Sequence, residues 1–354
     1  MRFSIVCLFL FVFIHSAEIM AQQDSSQICE SSCCNNEVAL PAGVMLGHVH
    51  SKGEWMLSYR YMNMAMKGIY QGNSSVTSDE VFKTYLMTPE SMQMNMHMLM
   101  LMYGINKRLT LMAMVNYNQN TMNMTMFGMS DHHDHGMGGS NIHQMNSQGL
   151  GDVKLYGIYS LVNETRHKLL MNIGFSIPTG SIDVLGESNG MTEYIGKHLS
   201  YMMQLGSGTF DFLPGATYLY HKKTYTFGVQ GNANIHLGYN KYGYSRGNEF
   251  TGNAWYAYRW LNFLSSSLRV EYAISGKIQG VDTSLYRHNE PSANTANYGG
   301  QTASVFIGTT WQPLRGGLKN QKISAEFGLP LYQNLNGIQS PIKYSINAYW
   351  ALTF

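Results

Sequence analysis

Residues 92–102 read MQMNMHMLMLM and place methionine at every second position, six times in succession. A spacing of two residues is the period of a β-strand, in which successive side chains point to opposite faces of the sheet. The six methionines are therefore predicted to share one face of a single strand. Whether that face meets water, lipid or protein decides the fold class and the function.

The same alternation recurs along the chain after residue 50. In the segment 224–238, Phe227 and Val229 are apolar, whereas the intervening Thr226 and Gln230 are polar. Each such segment thus has one apolar and one polar face. Twelve of them are predicted, near residues 54–66, 92–103, 109–126, 149–161, 169–177, 208–220, 224–238, 249–261, 265–277, 300–311, 321–332 and 341–354.

Alternation alone is typical of soluble β-sandwiches as well as of barrels. Three further features favour an outer-membrane barrel: strands of about 9 to 11 residues, aromatic residues near the strand ends, and short turns that alternate with long loops. An even number of strands places both ends of the chain on the periplasmic side. We therefore predict an all-β, closed antiparallel transmembrane barrel over residues 51–354. Its long external loops are predicted at 67–91, 127–148, 178–199 and 278–299.

The composition excludes several other classes of protein. Charged residues make up 12% of the 354-residue chain, about half of the ~25% that is usual in globular proteins. The formal net charge is +2 and there is no basic run, so nucleic-acid binding is not expected. After the N-terminus no apolar stretch reaches the ~18 residues that a membrane-spanning helix needs. A membrane-embedded form would have to cross with strands.

The first 21 residues have the organisation of a secretory signal peptide. Arg2 precedes the apolar run IVCLFLFVFI, and the small residues Ala17 and Ala21 follow it. Cleavage is predicted after Ala21 or after Ala17. Export of this kind fits a location in the outer membrane of a Gram-negative bacterium.

A periplasmic segment, residues 22–50, is predicted between the signal peptide and the barrel. It contains three cysteines, Cys29, Cys33 and Cys34. In an oxidising compartment this odd number permits two interpretations, namely one disulfide with a spare thiol, or a soft-metal site. Their spacing matches no standard zinc motif.

Five stretches and the last residue carry a resemblance to known proteins. The stretches are GHVHSKGEWMLSYRYM (47–62), LTLMAMVNY (109–117), GLGDVKLYGIYSL (149–161), SIPTGSID (176–183) and QLGSGTFDFLPGATY (204–218). They resemble a family of bacterial outer-membrane transporter barrels that is grouped with the meta-pathway phenol-degradation barrels. The terminal aromatic Phe354, on an alternating last strand, resembles the signal by which such barrels are recognised for assembly. In methionine content the chain is also similar to copper-resistance outer-membrane proteins, without an aligned motif. The resemblance implies the fold more than the chemistry.

Side-chain parity assigns the methionines of the first strands to the lumen. Trp55 and Leu57 fit the lipid face of the first segment, which leaves Arg60 on the inner face with the methionines; Leu99 and Leu101 do the same for residues 92–102. The polar Gln93, Asn95 and His97 share the outward parity, so we expect that end of the strand to rise beyond the bilayer into the rim. The predicted lumen methionines are Met62, Met64, Met66, Met92, Met94, Met96, Met98, Met100, Met102, Met112, Met114, Met122, Met124 and Met126.

Thioether sulfur is a soft, neutral ligand that selects Cu(I) or Ag(I) and needs no deprotonation to bind. A row of weak sites would let an ion pass from one to the next. Of the 26 methionines, 22 lie before residue 150, which argues against uniform compositional drift. We favour metal binding because thioethers on a polar lumen face would gain nothing from hydrophobic burial. The alternatives are methionine as an adaptable apolar filler and methionine as an oxidant scavenger.

Histidines extend the predicted metal sites. His132, His133 and His135 lie in the loop GMSDHHDHGMGGSNIHQM (128–145), and a loop of imidazoles and carboxylates suits capture of Cu(II), Zn(II) or Ni(II). A solvated polar loop is the alternative. His48 and His50 lie just before the first strand on the predicted periplasmic side, where they form either a metal site or a rim pair without metal.

The sequence thus predicts a non-enzymatic outer-membrane barrel that binds or conducts copper or silver for homeostasis or efflux, with Cu(I) as the expected ion. The expected partners are outer-membrane lipid and periplasmic copper-handling proteins. One alternative is a porin-like channel for small aromatic compounds. A second is a lipid hydrolase at the external rim, using Ser245 of GYSRG (243–247) with His221 or His236. From the sequence, no acid is expected to orient either imidazole.

Overall fold

The computed structural model describes residues 38–126, 142–186, 196–313 and 316–354. In these ranges twelve long antiparallel strands pair in chain order, and the last pairs with the first. The predicted fold class, a closed antiparallel barrel of twelve strands, is confirmed. The strands are β1 Trp55–Lys67, β2 Met87–Gly104, β3 Leu109–Met126, β4 in two segments Ile142–Leu150 and Val153–Asn163, β5 His167–Ile177, β6 Phe210–His221, β7 Tyr225–Leu237, β8 Glu249–Leu261, β9 Leu264–Ser275, β10 Gly300–Trp311, β11 Gln321–Gln339 and β12 Ile342–Thr353.

The barrel closes along a seam between β1 and β12. The backbone nitrogen of Trp55 donates to the carbonyl of Phe354, and that of Phe354 donates to the carbonyl of Trp55, each at 2.9 Å. Met56 is the register partner of Thr353 at the same seam. Closure satisfies the backbone groups of the edge strands, which lipid could not do.

Short elements decorate the connections between the strands. The helix α1, Ser78–Phe82, begins with a capping box in which Thr77 and Glu80 each bond the other's backbone nitrogen. No helix in the described ranges is long and apolar enough to cross a membrane. The remaining elements are the short strands Tyr70–Gly72, Ser74–Ser75, Tyr244–Ser245 and Gln279–Gly280 and the 3₁₀-helices Tyr201–Met203, Pro291–Ala293 and Thr295–Asn297.

The two ends of the barrel differ in the length of their connections. We call the end that holds the seam residues Trp55 and Phe354 the turn end, and the opposite one the loop end. Connections at the turn end are short and those at the loop end are long, except for the two-residue connection 340–341 at the loop end. The described connections at the turn end are 105–108, 164–166, 222–224, 262–263 and the described part of 312–320, and those at the loop end are 68–86, the described part of 178–209, 238–248 and 276–299.

Three strands extend further toward the loop end than the alternation predicts. β2 begins at Met87, the first segment of β4 begins at 142, and β11 continues to Gln339. On the first segment of β4 the outward residues Gln144 and Asn146 are polar and exposed, so the apolar and polar alternation is lost there. The strands still pair there, because backbone hydrogen bonds between strands do not require an apolar face.

The two faces of the wall follow the predicted parity. Leu99, Phe227 and Ile307 are exposed on the outer face, whereas Arg269 and Glu326 are buried on the inner face. An apolar outer surface and a polar or mixed interior are what a membrane barrel requires.

Residues 38–50, which we call the plug, lie inside the barrel at the turn end. Their backbone is held by inward side chains of four strands, one of which is β3, where Thr110 Oγ1 accepts a hydrogen bond from His50 N at 2.8 Å. Because the partners come from different sides of the wall, the plug is fixed across the lumen. The other bonds are Arg60 to the carbonyls of Gly43 and Val44 at 3.2 Å each, Gln230 to Met45 O at 2.5 Å, Lys322 to Leu40 O at 3.1 Å, and Gly43 N to Glu326 Oε2 at 2.6 Å.

The loop end is covered by the described residues of the connections 178–209 and 276–299, which we call the lid. The two connections meet where the backbone nitrogen of Asp282 donates to the Tyr201 hydroxyl at 2.9 Å. The connection after β9 reaches the start of β2, because Met87 N donates to Asn289 O at 2.8 Å. The plug and the lid thus contact the inner face of the wall near the two ends of the barrel.

Candidate functional site

The predicted lumen methionines all point inward and fall into two apolar clusters. The turn-end cluster packs against Leu46 of the plug and against Ile158 and Leu170. The loop-end cluster packs against Leu199 and Met203 of the lid. The turn-end cluster contains Met62, Met96, Met98, Met100, Met102, Met112 and Met114, and the loop-end cluster contains Met64, Met66, Met92, Met94, Met122, Met124 and Met126.

Strand register aligns the methionines laterally. Near the turn end, Met56, Met102 and Met112 are direct partners across β1, β2 and β3. Directly opposed residues on one face have Cβ atoms about 4.5 to 5.5 Å apart, a distance that two flexible thioether side chains can close on one ion. The loop-end row is Met66, Met92, Met122 and Met145 across β1, β2, β3 and β4.

A polar belt separates the two rows. Asn116 donates to Asn118 at 3.0 Å, and Asn120 donates to Ser147 at 3.1 Å. Arg60 also lies inward at this level, opposite Met98 in register. The methionine wall is therefore two apolar patches joined by a mixed strip.

The methionines do not lie on an open polar surface, as the sequence argument assumed. Met124 is 0% exposed and Met122 is 2% exposed. The assumption that thioethers gain nothing from burial is wrong, because plug and lid residues pack onto them. Some of these side chains therefore stabilise the closed barrel as apolar filler.

Two inward residues were assigned to a loop by the sequence analysis and belong to the wall instead. Met145 is the register partner of Met122, and His143 is the partner of Met124. The Nε2 atom of His143 is buried and has no hydrogen-bond partner. Their spacing of two continues the period of the Met-rich strands, which is the signal that could have revealed them.

His48 and His50 form a ring pair at the turn end, with centroids 5.0 Å apart. Burial lowers the pKa of both, and for His48 the neighbouring His50 lowers it further, whereas Glu54 opposes the shift at His50. Both rings are thus neutral near neutral pH, the state that binds metal. Within the described residues no group of three or more His, Cys, Asp or Glu side chains is placed to hold a metal ion.

A cavity lies between the plug and the turn-end row. His48 and Met45 line it from the plug, and Met56, Met100, Met102 and Met112 line it from the wall. Arg60 and Lys322 line it as well. Four wall thioethers and two cationic side chains therefore share one small space.

Six predicted metal ligands lie outside the described residues, and their roles stay predictions. They are Cys29, Cys33 and Cys34 before the plug, and His132, His133 and His135 in the connection after β3.

The wall opposite the methionines carries a buried charge cluster that the sequence analysis did not single out. Arg269 is 1% exposed and contacts Glu326 at 3.2 Å and Glu271 at 2.6 Å. It also donates to Asn253 at 2.7 Å and stacks on the Phe306 ring at 3.8 Å. The guanidinium of Arg269 thus finds its partners within the cluster, and Glu326 also accepts a hydrogen bond from the backbone nitrogen of Gly43 in the plug.

The geometry around Ser245 does not support the hydrolase alternative. The Ser245 hydroxyl donates to the carbonyl of Arg246 at 3.4 Å, and among the described residues it has no hydrogen bond to a histidine. One expectation was wrong, since Asp211 lies 2.8 Å from His236 and does orient that imidazole. A nucleophile still requires contact with its base.

Comparisons with known proteins agree with this fold. No protein-family model and no curated protein matches the chain. The crystal structure of the COG4313 outer membrane channel from Pseudomonas putida F1 is similar, with a TM-score of 0.54 and 14% identity over 90% of this chain and 98% of that chain. The translocator domain of the autotransporter NalP from Neisseria meningitidis has a TM-score of 0.42 and 8% identity over 86% of this chain and 90% of that chain.

The NanC porin has a TM-score of 0.41 and 8% identity over 84% of this chain and 98% of that chain. The similarity to the COG4313 channel shows that the chain has the fold of an outer-membrane β-barrel. This fold fits the outer membrane of a Gram-negative bacterium.

Proposed function

We propose that this barrel is an outer-membrane channel whose cargo is a soft monovalent metal ion, Cu(I) or Ag(I), which it handles for homeostasis or efflux. The observation that carries the proposal is the in-register row Met66, Met92, Met122 and Met145. Four adjacent strands each contribute a thioether at one level of the lumen. If the methionines served only to fill irregular space in the lumen, they would not need to be aligned across neighbouring strands.

The chemistry of the rows supports a soft cargo. Thioethers bind Cu(I) and Ag(I) without losing a proton, and they are poor ligands for hard hydrated ions. Methionines on β2 continue between the two rows, with same-face neighbours about 6.6 Å apart. Short steps between weak sites are what conduction needs.

The plug crosses the turn end and the lid crosses the loop end, so transport requires both to shift. The plug is held by its backbone through a few side chains of the wall. Rearrangement of those bonds would free it without unfolding the barrel.

The test measures Cu(I) binding by the protein folded in detergent and Cu(I) flux through the protein reconstituted into lipid vesicles. Cu(I) is titrated in competition with a chromophoric chelator, and flux is followed with a Cu(I)-sensitive dye inside liposomes. Changing Met94, Met96, Met98 and Met100 together to leucine should lower both stoichiometry and flux, because leucine keeps volume but removes sulfur. Met171→Leu, on the outer face, is the control. Unchanged binding and flux in the quadruple variant would refute the proposal.

A second candidate is a channel for small apolar organic molecules. The packing of Leu46, Ile158 and Leu170 among the turn-end methionines supports it, because this part of the lumen is apolar. The same quadruple variant separates the two functions. An apolar cargo should still cross a leucine-lined lumen, whereas a metal cargo should not.

A further inference from the structure

Four inward side chains form a two-by-two patch at the loop end of β3 and β4. Met122 is directly opposite Met145, and Met124 is directly opposite His143. Within each strand the two members are two residues apart. The patch thus brings three thioethers and one imidazole within the reach of a single ion, since its sides are about 5 Å and about 6.6 Å long.

The patch is dry. Met122 and Met124 are almost completely buried, and Met145 is 7% exposed. Leu199 and Met203 of the lid pack on the same cluster. Burial of the three sulfur-bearing side chains and of Nε2 limits competition from water, and a ligand set of neutral donors can replace the hydration shell of a monovalent cation.

The imidazole points to a ligand. A buried polar nitrogen without a partner destabilises the folded state, and Nε2 of His143 is such an atom. Apolar filling of the lumen explains the methionines beside it but not a histidine among them. A metal ion would satisfy this nitrogen.

Charge distinguishes this patch from the methionine row at the turn end. Arg60 and Lys322 line the cavity beside Met56, Met102 and Met112, and like charge opposes a bound cation. The loop-end cluster packs instead against the apolar Leu199, Val184 and Ile342. A cation is therefore favoured at the loop end.

We infer that Met122, Met124, Met145 and His143 form one discrete site that binds a single Cu(I) or Ag(I) ion through three sulfurs and one nitrogen. The inference rests on the proposed function and specifies where the cargo is held most tightly. Soft thioethers with one imidazole are a donor set suited to Cu(I).

The experiment titrates the refolded protein with Cu(I), and in parallel with Ag(I), against a competing chelator. The loop-end variant changes Met122, Met124 and Met145 to leucine, and the matched control changes Met56, Met102 and Met112 to leucine. We expect the loop-end variant to lose about one tightly bound equivalent and the control to keep it. Heat-modifiable electrophoretic mobility verifies that both variants are folded.

The outcomes separate the inference from the proposed function. If the wild type binds Cu(I) and the loop-end variant binds it equally well, the site is refuted and the function is not. If both triple variants lose the same amount, no discrete site exists. A wild type that binds neither ion overturns both proposals.

X-ray absorption of the Ag(I)-loaded and Cu(I)-loaded wild type keeps the inference testable if the triple variant does not fold. At one equivalent the spectrum should require a nitrogen or oxygen ligand beside sulfur. The variant His143→Gln should alter that spectrum. A ligand shell of sulfur alone, unchanged in His143→Gln, would refute the assignment of His143.

Discussion

The backbone nitrogen of Gly43 donates a 2.6 Å hydrogen bond to Oε2 of Glu326, the same oxygen that contacts Arg269 at 3.2 Å. The plug backbone therefore rests directly on a buried ion pair of the wall. The approach is so close that a Cβ atom at Gly43 would lie 2.1 Å from Nη2 of Arg269. A side chain at position 43 would have to displace the buried ends of Arg269 and Glu326, so the plug and the charge cluster are coupled at this point.

The first prediction concerns Glu326→Gln. The change weakens the bond to Gly43 and leaves Arg269 with less compensation; breaking a buried pair commonly costs about 3–5 kcal/mol. We expect the plug to loosen and the conductance in planar bilayers to rise. Glu271→Gln is the matched control, because Glu271 also contacts Arg269, at 2.6 Å, but is not hydrogen-bonded to the plug. Equal conductance in the two variants would contradict the role of Glu326.

The period of two was enough to predict the strands, the barrel and the inward direction of the methionines. It succeeds in segments such as 92–102 because lipid on one side and protein on the other impose opposite preferences on alternate residues. It fails at 142–148, where the outward Gln144 and Asn146 are as polar as the inward Ser147. Beyond the bilayer lipid no longer contacts the outer face, so apolar and polar residues need not alternate along the strand.

The position of the plug could not be predicted in the same way. Residues 38–50 form no regular element, and they bind through backbone atoms, as in the bond from Gln230 to Met45 O. Backbone atoms leave no mark in the sequence. Likewise, the pairing of Met122 with Met145 depends on the register between β3 and β4. Alternation of apolar and polar residues within each strand does not determine that register.

The second prediction tests how much the methionines contribute as filler. Met124 is 0% exposed, so Met124→Ala should lower the free energy of unfolding by about 2–5 kcal/mol. Met124→Leu keeps the volume and should cost less than about 1.5 kcal/mol. Urea unfolding in detergent micelles, followed by tryptophan fluorescence, measures both. Met171→Ala, at an exposed position, serves as control, and a leucine variant as unstable as the alanine variant would contradict the filler role.

The third prediction concerns the seam. Removal of Phe354 deletes both backbone hydrogen bonds to Trp55 and the terminal aromatic ring. We expect slower conversion to the folded, heat-modifiable form in lipid vesicles, because the last pairing closes the barrel. Phe354→Tyr keeps both the bonds and the ring and should fold at the wild-type rate. If the truncated chain folds as fast as the wild type, the seam bonds form after the rate-limiting step.

The fourth prediction is a pH dependence of the lid that arises from Glu290. Glu290 is 2% exposed, and burial raises its pKa from 4.5 to about 7, with the hydroxyls of Ser292 and Ser200 offsetting this only in part. Between these two values an opened lid has released the proton while the closed lid still holds it, so closure weakens as pH rises and changes no further above about 7. The total loss is roughly 3 kcal/mol, at about 1.4 kcal/mol per pH unit.

Amide hydrogen exchange at Tyr201 and Tyr298, corrected for the intrinsic rate, should therefore be faster at about pH 8 than at about pH 5. Glu290→Gln cannot ionise and should remove the difference, which leaves the lid closed at both values. Asp79→Asn, in the exposed first turn of α1, is the control and should behave as wild type. A pH dependence that persists in Glu290→Gln would assign the effect to another group, whereas exchange that slows with rising pH would contradict the sign of the linkage.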